Sequence, residues 1–256
     1  MKSKEPRWLG ADLTQLARVG STNQVLRERM RRQHVPEGAV VLAREQTAGR
    51  GRLGRVWWSP PNQGLYVSVL LYPPRTRQGG ILSLLAGVAL TDAVEQATGM
   101  TPGLKWPNDA VMGGKKYAGI LVEGGTEPQP WAIVGMGINV LGTVPEDFPH
   151  ATTLSQELGK DVDIEGLWRH LAKALEQRYE QWLEDGNAPI IAQWKTVSVT
   201  LGYAVEVRTP SGLITGIAED VSDDGTLWIR QGSDRVPVMS GEVSLRLANG
   251  AYAPRT

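Results

Sequence analysis

No cysteine occurs among the 256 residues, which excludes disulfides, a thiolate nucleophile and cysteine-based zinc or iron–sulfur sites. Histidine is almost as scarce. His34, His150 and His170 stand far apart without the spacing of a metal-binding helix, and each is expected at the surface or at a helix end. The chain is therefore expected to hold no metal of its own, although a magnesium ion carried in by a nucleotide stays compatible with it. Neither sign of charge dominates, with 27 basic and 27 acidic residues. Phosphate-driven nucleic-acid binding needs a basic surplus on one face, so DNA is not an expected partner. No apolar run is long enough to cross a bilayer: ILSLLAGVAL at 81–90 gives way to Thr91-Asp92. The first 20 residues lack the apolar core of a signal peptide. A cytoplasmic protein without membrane association is expected.

What is present suggests a large domain followed by a small one. Ser21-Thr22-Asn23-Gln24 precedes the helix-like run VLRERMRRQ, and Ser21 with Gln24 reads as a capping box. Strands are expected at 38–46 and 64–71. Residues 80–98 carry Ile81, Leu84, Leu85, Val88 and Val94 at helical spacing and end at Gly99 as a C-cap. LKWPNDAVM at 104–112 is strand-like, with Pro107 suited to an edge, a bulge or a strand end. YAGILVEGG and PWAIVGMGINV form an expected hairpin around Gly124–Pro130. Residues 163–184 are the clearest amphipathic helix, with Leu167, Leu171, Leu175, Tyr179 and Leu183 on or near one face. From Val197 the pattern changes to short alternating runs separated by turns such as Asp223-Asp224-Gly225, which suggests a small β-barrel or sandwich. A boundary is expected near 195, giving domains 1–195 and 196–256.

The most distinctive segment is REQTAGRGRLGR at 44–55. Gly49, Gly51 and Gly54 spell G-x-G-x-x-G, yet a dinucleotide fingerprint opens a helix. Here Trp57-Trp58-Ser59-Pro60-Pro61 follows, and then a strand. The loop instead spaces Arg50, Arg52 and Arg55 on bendable backbone, a composition suited to closing over an anion. Three more segments place polar residues and glycines at expected strand ends, where ligand sites gather. These are S-T-N at 21–23, K-W-P-N-D at 105–109 with G-G-K-K-Y-A-G-I-L-V-E-G at 113–124, and V-G-M-G-I-N-V at 134–140.

Taken in order, these pieces resemble the catalytic domain of biotin protein ligases. S-T-N before a helix, E-Q-T-A-G-R-G-R-L-G-R followed by W-x-S-P, N-Q-G-L-Y-V-S-V, K-W-P-N-D, K-K-Y-A-G-I-L-V-E and G-x-G-I-N-V all match. A-T-T-L-S-Q-E-L-G at 151–159 and G-E-V-S-L-R at 241–246 extend the match over roughly residues 18–247. The resemblance implies an α+β fold, a mixed β-sheet flanked by helices of the class II synthetase-like type, with a small C-terminal SH3-like β-barrel. It also implies the activity. Biotin and ATP would be joined as biotinyl-5′-AMP, and the biotin then transferred to a lysine of a biotin carboxyl carrier protein, the acetyl-CoA carboxylase carrier being the family expectation.

The same resemblance assigns residues. Arg50, Arg52 and Arg55, on backbone freed by Gly49 and Gly51, would grip the phosphates or the carboxylate. Their loop would be mobile without ligand and order over the adenylate, at an entropic cost of about 1–2 kcal/mol per residue. Ser21, Thr22, Asn23 and Gln46 would hydrogen-bond the ureido ring of biotin. Lys116 would bind the activated carboxyl or the bridging phosphate oxygen, and Lys105 would face the phosphates. Asn108 and Asp109 would contact nucleotide or Mg2+, Asp109 being also a candidate to orient or deprotonate the carrier lysine. Gly119, Gly135 and Gly137 would let backbone approach biotin, with Asn139 near ribose or adenine. Trp57 would wall the nucleotide or anchor the loop. Many relatives carry a DNA-binding domain before S-T-N, for which the 20 residues preceding Ser21 are too few, so no repressor function is expected. Family members are monomers or edge-to-edge dimers, and the sequence leaves both open. Two other readings stand beside this one: a lipoate ligase or octanoyl transferase, and a non-catalytic biotin-binding or DNA-binding regulator.

Overall fold

Strict alternation along two neighbouring strands sorts the molecule into layers. In Gly64–Leu71, the residues Leu65, Val67, Val69 and Leu71 point into the larger apolar core, and in Trp131–Asn139 so do Ala132, Val134, Met136 and Ile138. The residues between them, Tyr66, Ser68, Gly135 and Gly137, fall on the opposite face, because side chains of a strand alternate with period two. A computed structural model describes residues 7–75, 79–239 and 244–254.

The described chain runs β1 (Leu13–Leu16), α1 (Thr22–Arg32), β2 (Val40–Ala43), β3 (Gly64–Leu71), α2 (Leu82–Thr98), β4 (Gly103–Lys105), β5 (Asp109–Met112), β6 (Lys115–Gly125), β7 (Trp131–Asn139), α3 (Leu154–Leu158), α4 (Ile164–Asp185), α5 (Ala188–Thr196), then β8 (Ala204–Thr209), β9 (Gly212–Val221), β10 (Leu227–Gln231), β11 (Asp234–Val238) and β12 (Ser244–Leu247). The first seven strands form one sheet in the order β1-β2-β3-β7-β6-β5-β4. Only the β1–β2 pair is parallel, so the sheet is mixed, as expected.

Helix α2 lies on one face. It is buried almost all round because the sheet is beneath it and α4 and α5 are above it. Each fully buried Leu or Val there contributes about 1.5–3 kcal/mol of transfer free energy. It ends where expected, at Gly99 in the left-handed conformation (φ 78°), which an L side chain would resist. Helix α1 covers part of the other face, with Leu26 packed on Val41, Leu70 and Ile133. The rest of that face is left for the site.

Several expectations are corrected. Ser21 has the extended backbone of an N-cap but its side chain makes no capping bond. Gln24 reaches Glu28 instead (2.8 Å), so the capping box does not form, and the Thr22 amide donates to Gln46 Oε1 (2.9 Å). On α4, Trp182 is fully buried whereas Leu183 is 37% exposed, so the buried stripe passes beside Leu183. His170, by contrast, is at the surface as expected, within α4 and beside Gln96. The strand expected at 38–46 shortens to β2, and β1 and α5 add elements the sequence patterns did not mark.

The C-terminal strands form a five-stranded antiparallel sheet, β11-β10-β9-β8-β12. Among the described residues β11 and β12 are its edges, so no closed barrel is formed. Gly241, Glu242 and Val243 of the G-E-V-S-L-R motif lie outside the described residues, as do Met1 to Pro6. The segment after α5 is stitched to β4, with Val199 N donating to Leu104 O (2.9 Å), which brings the second sheet to the end of the first.

Candidate active site

The register of the large sheet draws one continuous row across it. Lys105 is the partner of Asp109, Asp109 of Gly119, Gly119 of Gly137, and Gly137 of Tyr66. Directly opposed residues of antiparallel strands share a face. The row therefore runs from two charged groups, over two glycines without side chains, to an aromatic ring. Above its first four members opens a cavity of about 330 Å³, within the size range of small-molecule sites.

The floor is bare because it has to be. A Cβ on Gly137 would stand 2.2 Å from Trp57 Nε1, and one on Gly119 would stand 3.1 Å from the same indole. Trp57 thus lies flat on the glycine strip, with its Nε1 buried and unpartnered. A buried donor of this kind marks a place where an acceptor is missing. One row further, a Cβ on Gly135 would stand 2.2 Å from Asn23 Oδ1.

At this end the polar groups are wired together. Ser68, fully buried on β3, donates to Thr22 Oγ1 (2.7 Å) or Asn23 Oδ1 (2.6 Å). Asn23 Nδ2 donates to Glu123 (2.8 Å), which is ion-paired with Arg27. Gln46 accepts from the Thr22 amide and donates to Ser59 Oγ (3.1 Å), clamping the start of α1 to the far leg of the glycine–arginine loop. Short side chains at a helix start, held by second partners, form a preset group of donors and acceptors.

The loop between β2 and β3 is folded back on itself. Arg50 pairs with Val56, Gly51 N donates to Arg55 O (2.7 Å), and a 3-10 turn occupies Arg52–Gly54. Leu53 at the tip has φ 59°, a left-handed conformation costly to a non-glycine residue. Gly49 does not line the cavity. It is required where the neck of the loop passes the Trp57 carbonyl, which a Cβ would meet at 2.6 Å. Arg52 Nη1 donates to Asn108 Oδ1 (3.1 Å), while Asn108 Nδ2 donates to Ile120 O (2.7 Å). Burial lowers the Arg52 pKa from its ordinary value, partly offset by the charge of Asp109.

At the charged end Lys116 is ion-paired with Asp109 and lies over the Trp57 ring (5.1 Å to its centroid). The other Asp109 oxygen accepts a hydrogen bond from the Tyr252 hydroxyl. Burial by itself would raise the Asp109 pKa; the charges of Lys116 and Lys105 and the two hydrogen bonds outweigh it and hold the carboxyl below its usual range. Lys105 is 3% exposed. Its ammonium donates to Leu245 O of β12 (2.9 Å) and sits 3.6 Å from the Tyr252 ring centroid. Burial lowers its pKa to about 7, against the opposing pull of Asp109. Asn139 is buried and donates to Thr152 O (3.1 Å), fixing the segment that roofs this end.

The cavity wall therefore includes every sequence-selected residue except Gly49. It also includes residues that sequence reasoning missed, among them His150, Leu245, Arg246 and Tyr252. Ser68, on the site face behind Thr22 and Asn23, had a readable signal as the lone polar residue in GLYVSVLL; Tyr252 had none.

The sequence and the fold are similar to those of known proteins. The model of the biotin/lipoate A/B protein ligase family matches residues 16–139, and that of the biotin protein ligase C-terminal domain matches residues 200–246. The chain is 35% identical over 238 residues to the bifunctional ligase/repressor BirA of Bacillus subtilis, covering 89% of this chain and 72% of that one. It is 36% identical over 234 residues to the biotin–[acetyl-CoA-carboxylase] ligase of Mycobacterium tuberculosis, covering 89% and 86%. Among solved structures, biotin protein ligase from Aquifex aeolicus in complex with biotin and ATP superposes with a TM-score of 0.83 at 33% identity, covering 93% of this chain and 100% of that one.

Proposed function

The chain belongs to the biotin protein ligases of the biotin/lipoate A/B protein ligase family, and from that membership we propose how its own residues carry out the reaction. Biotin is activated with ATP to biotinyl-5′-AMP and then transferred to a lysine of a biotin carboxyl carrier protein, such as that of acetyl-CoA carboxylase. In the first step a biotin carboxylate oxygen attacks the α-phosphorus and pyrophosphate leaves. In the second the neutral amine of the carrier lysine attacks the anhydride carbonyl carbon, the C–O bond to AMP breaks, and an amide forms as AMP and the amine's proton leave.

The observation that carries this reading is the row from Lys105 and Asp109 across Gly119 and Gly137 to Tyr66. It offers a flat glycine strip, covered in this structure by the Trp57 indole, on which a bicyclic ring would lie once Trp57 moves aside, and positive charge at the other end. Two anions must meet in the first step, and preorganised cations at the meeting point lower the barrier most. Lys116 sits where the berth gives way to the charged end and would bind the carboxylate and the α-phosphate. Arg50, Arg52 and Arg55 would close over the phosphates, excluding water from a hydrolysable anhydride. Thr22, Ser21, Asn23 and Gln46 would take the ureido ring, and Trp57 would wall it. Asn108, which grips Arg52, would align that arginine on the nucleotide, and Asn139 would support the roof at the ribose end. Asp109 would orient the carrier lysine once Lys116 has turned to the phosphate.

Magnesium would enter with ATP, bound chiefly to phosphate and water oxygens. That fits a chain in which, among the described residues, no group of three or more His, Cys, Asp or Glu is arranged for a metal ion. Catalysis is assigned to the part before residue 195, with the C-terminal sheet closing its charged end. The ATP requirement and the lack of cysteine suit a cytoplasmic enzyme; among the described residues no helix is long and apolar enough to cross a membrane.

The test is exchange of labelled pyrophosphate into ATP, followed by labelling of a carrier domain. Exchange stimulated by biotin and not by lipoate is expected. Stimulation by lipoate alone would replace this reading with a lipoate ligase. Biotin binding without exchange or carrier labelling would replace it with a regulator.

A further inference from the structure

Beyond β12 the chain makes a tight turn, with Gly250 N donating to Leu247 O (2.9 Å) and Leu247 N to Ala251 O (3.2 Å). The turn returns Tyr252 to the charged end of the cavity. The ring is 7% exposed and stacked on His150, with centroids 5.6 Å apart and planes 23° from parallel. Lys105 lies over its face, and the Arg246 guanidinium is 4.8 Å from its centroid. Its hydroxyl meets Asp109 Oδ2 while Lys116 holds Oδ1.

We propose that Tyr252 is a positioning residue for the ligase reaction: its hydroxyl fixes the plane of the Asp109 carboxylate, so that Oδ1 faces Lys116 and stays aligned when Lys116 engages substrate. This rests on the assignment of Asp109 and Lys116 to the ligase site. A carboxylate held at one oxygen turns freely about its terminal bond, whereas one held at both does not. A partly buried carboxylate left with a single partner also carries a desolvation cost. The tyrosine is suited to the task because it stays a donor. Burial first, and the charge of Asp109 second, push its hydroxyl pKa well above the ordinary value. The ring serves a second purpose, closing the cavity over Lys105, so ring and hydroxyl can be separated by substitution.

Tyr252→Phe keeps the ring and removes the hydroxyl. Charged or titratable groups facing Asp109 are Lys116 on β6, Lys105 on β4, Tyr252 on the tail and Arg52 on the loop, with Arg246 and Arg55 acting on Lys105. All but Tyr252 are unchanged in the variant. The kcat of carrier labelling is then expected to fall by about threefold to tenfold, with KM for biotin unchanged. Carbon-13 NMR of the Asp109 carboxyl should show its midpoint rising. In an Asp109→Asn background, Tyr252→Phe should add nothing. An unmoved Asp109 midpoint, or an equal rate loss with and without the Asp109 carboxylate, would overturn the proposal. Failure of the ligase reading has a different signature, the absence of biotin-dependent exchange in the unaltered protein, and the NMR titration reads the Tyr252 contact in that case too.

Discussion

The Lys116 ammonium is ion-paired with the Asp109 carboxylate across β5 and β6, with both side chains mostly buried, at 22% and 13% exposure. The pair holds the cation beside Gly119 and the Trp57 ring. Lys116→Ala should lower biotin-dependent pyrophosphate exchange by about a hundredfold or more, the scale set by removing one transition-state charge partner. It should also lower stability in urea by about 1–3 kcal/mol, because Asp109 loses its nearest counter-charge. Normal exchange in this variant would take Lys116 out of the site.

Arg52 reaches from the loop to Asn108, on the opposite side of the cavity. If that arm is the closing latch, Arg52→Gly should let the adenylate escape before transfer. Incubated with biotin, ATP and an unrelated lysine-rich protein, the variant should biotinylate the bystander at least tenfold faster than the unaltered protein does. That factor corresponds to about 1.4 kcal/mol of lost retention. Equal bystander labelling would refute the latch.

Gly137 and Trp57 cannot both keep their places if a methyl is added, since the Cβ would lie 2.2 Å from the indole nitrogen. Gly137→Ala should lift Trp57 and obstruct the ring berth. Calorimetry should show biotin affinity falling by about tenfold or more, with a stability loss of about 1–3 kcal/mol from overpacking. Unchanged affinity would place the biotin ring elsewhere.

Lys105 gives the stability a signature at alkaline pH. Its pKa is lowered to about 7 in the fold, against about 10.4 in an unfolded chain. Between these values the unfolded state binds the proton and the folded state does not. The contribution of Lys105 to stability therefore rises with pH across that window and is at its most unfavourable below about 7. Lys105→Met should shrink the gain in unfolding free energy between pH 7 and pH 10 relative to the unaltered protein, measured by urea titration at each pH. An identical gain in both proteins would mean that Lys105 stays charged through the window.

Much of this was legible in the chain itself. The alternation of β3 and β7, the helices α2 and α4, the Gly99 cap and the residue types of the loop all follow from local periodicity and backbone preference. Local pattern failed where another group competed. The capping box at Ser21 does not form, since Gln24 turns to Glu28, and the neighbouring Thr22 amide is taken by Gln46, 24 residues beyond it. Leu183 has helical spacing, yet the buried place beside it belongs to Trp182.

The sequence by itself determined the family, the chemical inventory and the glycines that leave room for a ligand, because each is carried by residue type and short-range spacing. Tertiary structure alone decided the row. Register between strands up to about 70 residues apart sets Lys105, Asp109, Gly119, Gly137 and Tyr66 in line. The same holds for Tyr252, whose hydroxyl meets a carboxylate 143 positions earlier. Such pairings depend on which surfaces the whole chain brings together, and nothing in the local sequence of either partner specifies them.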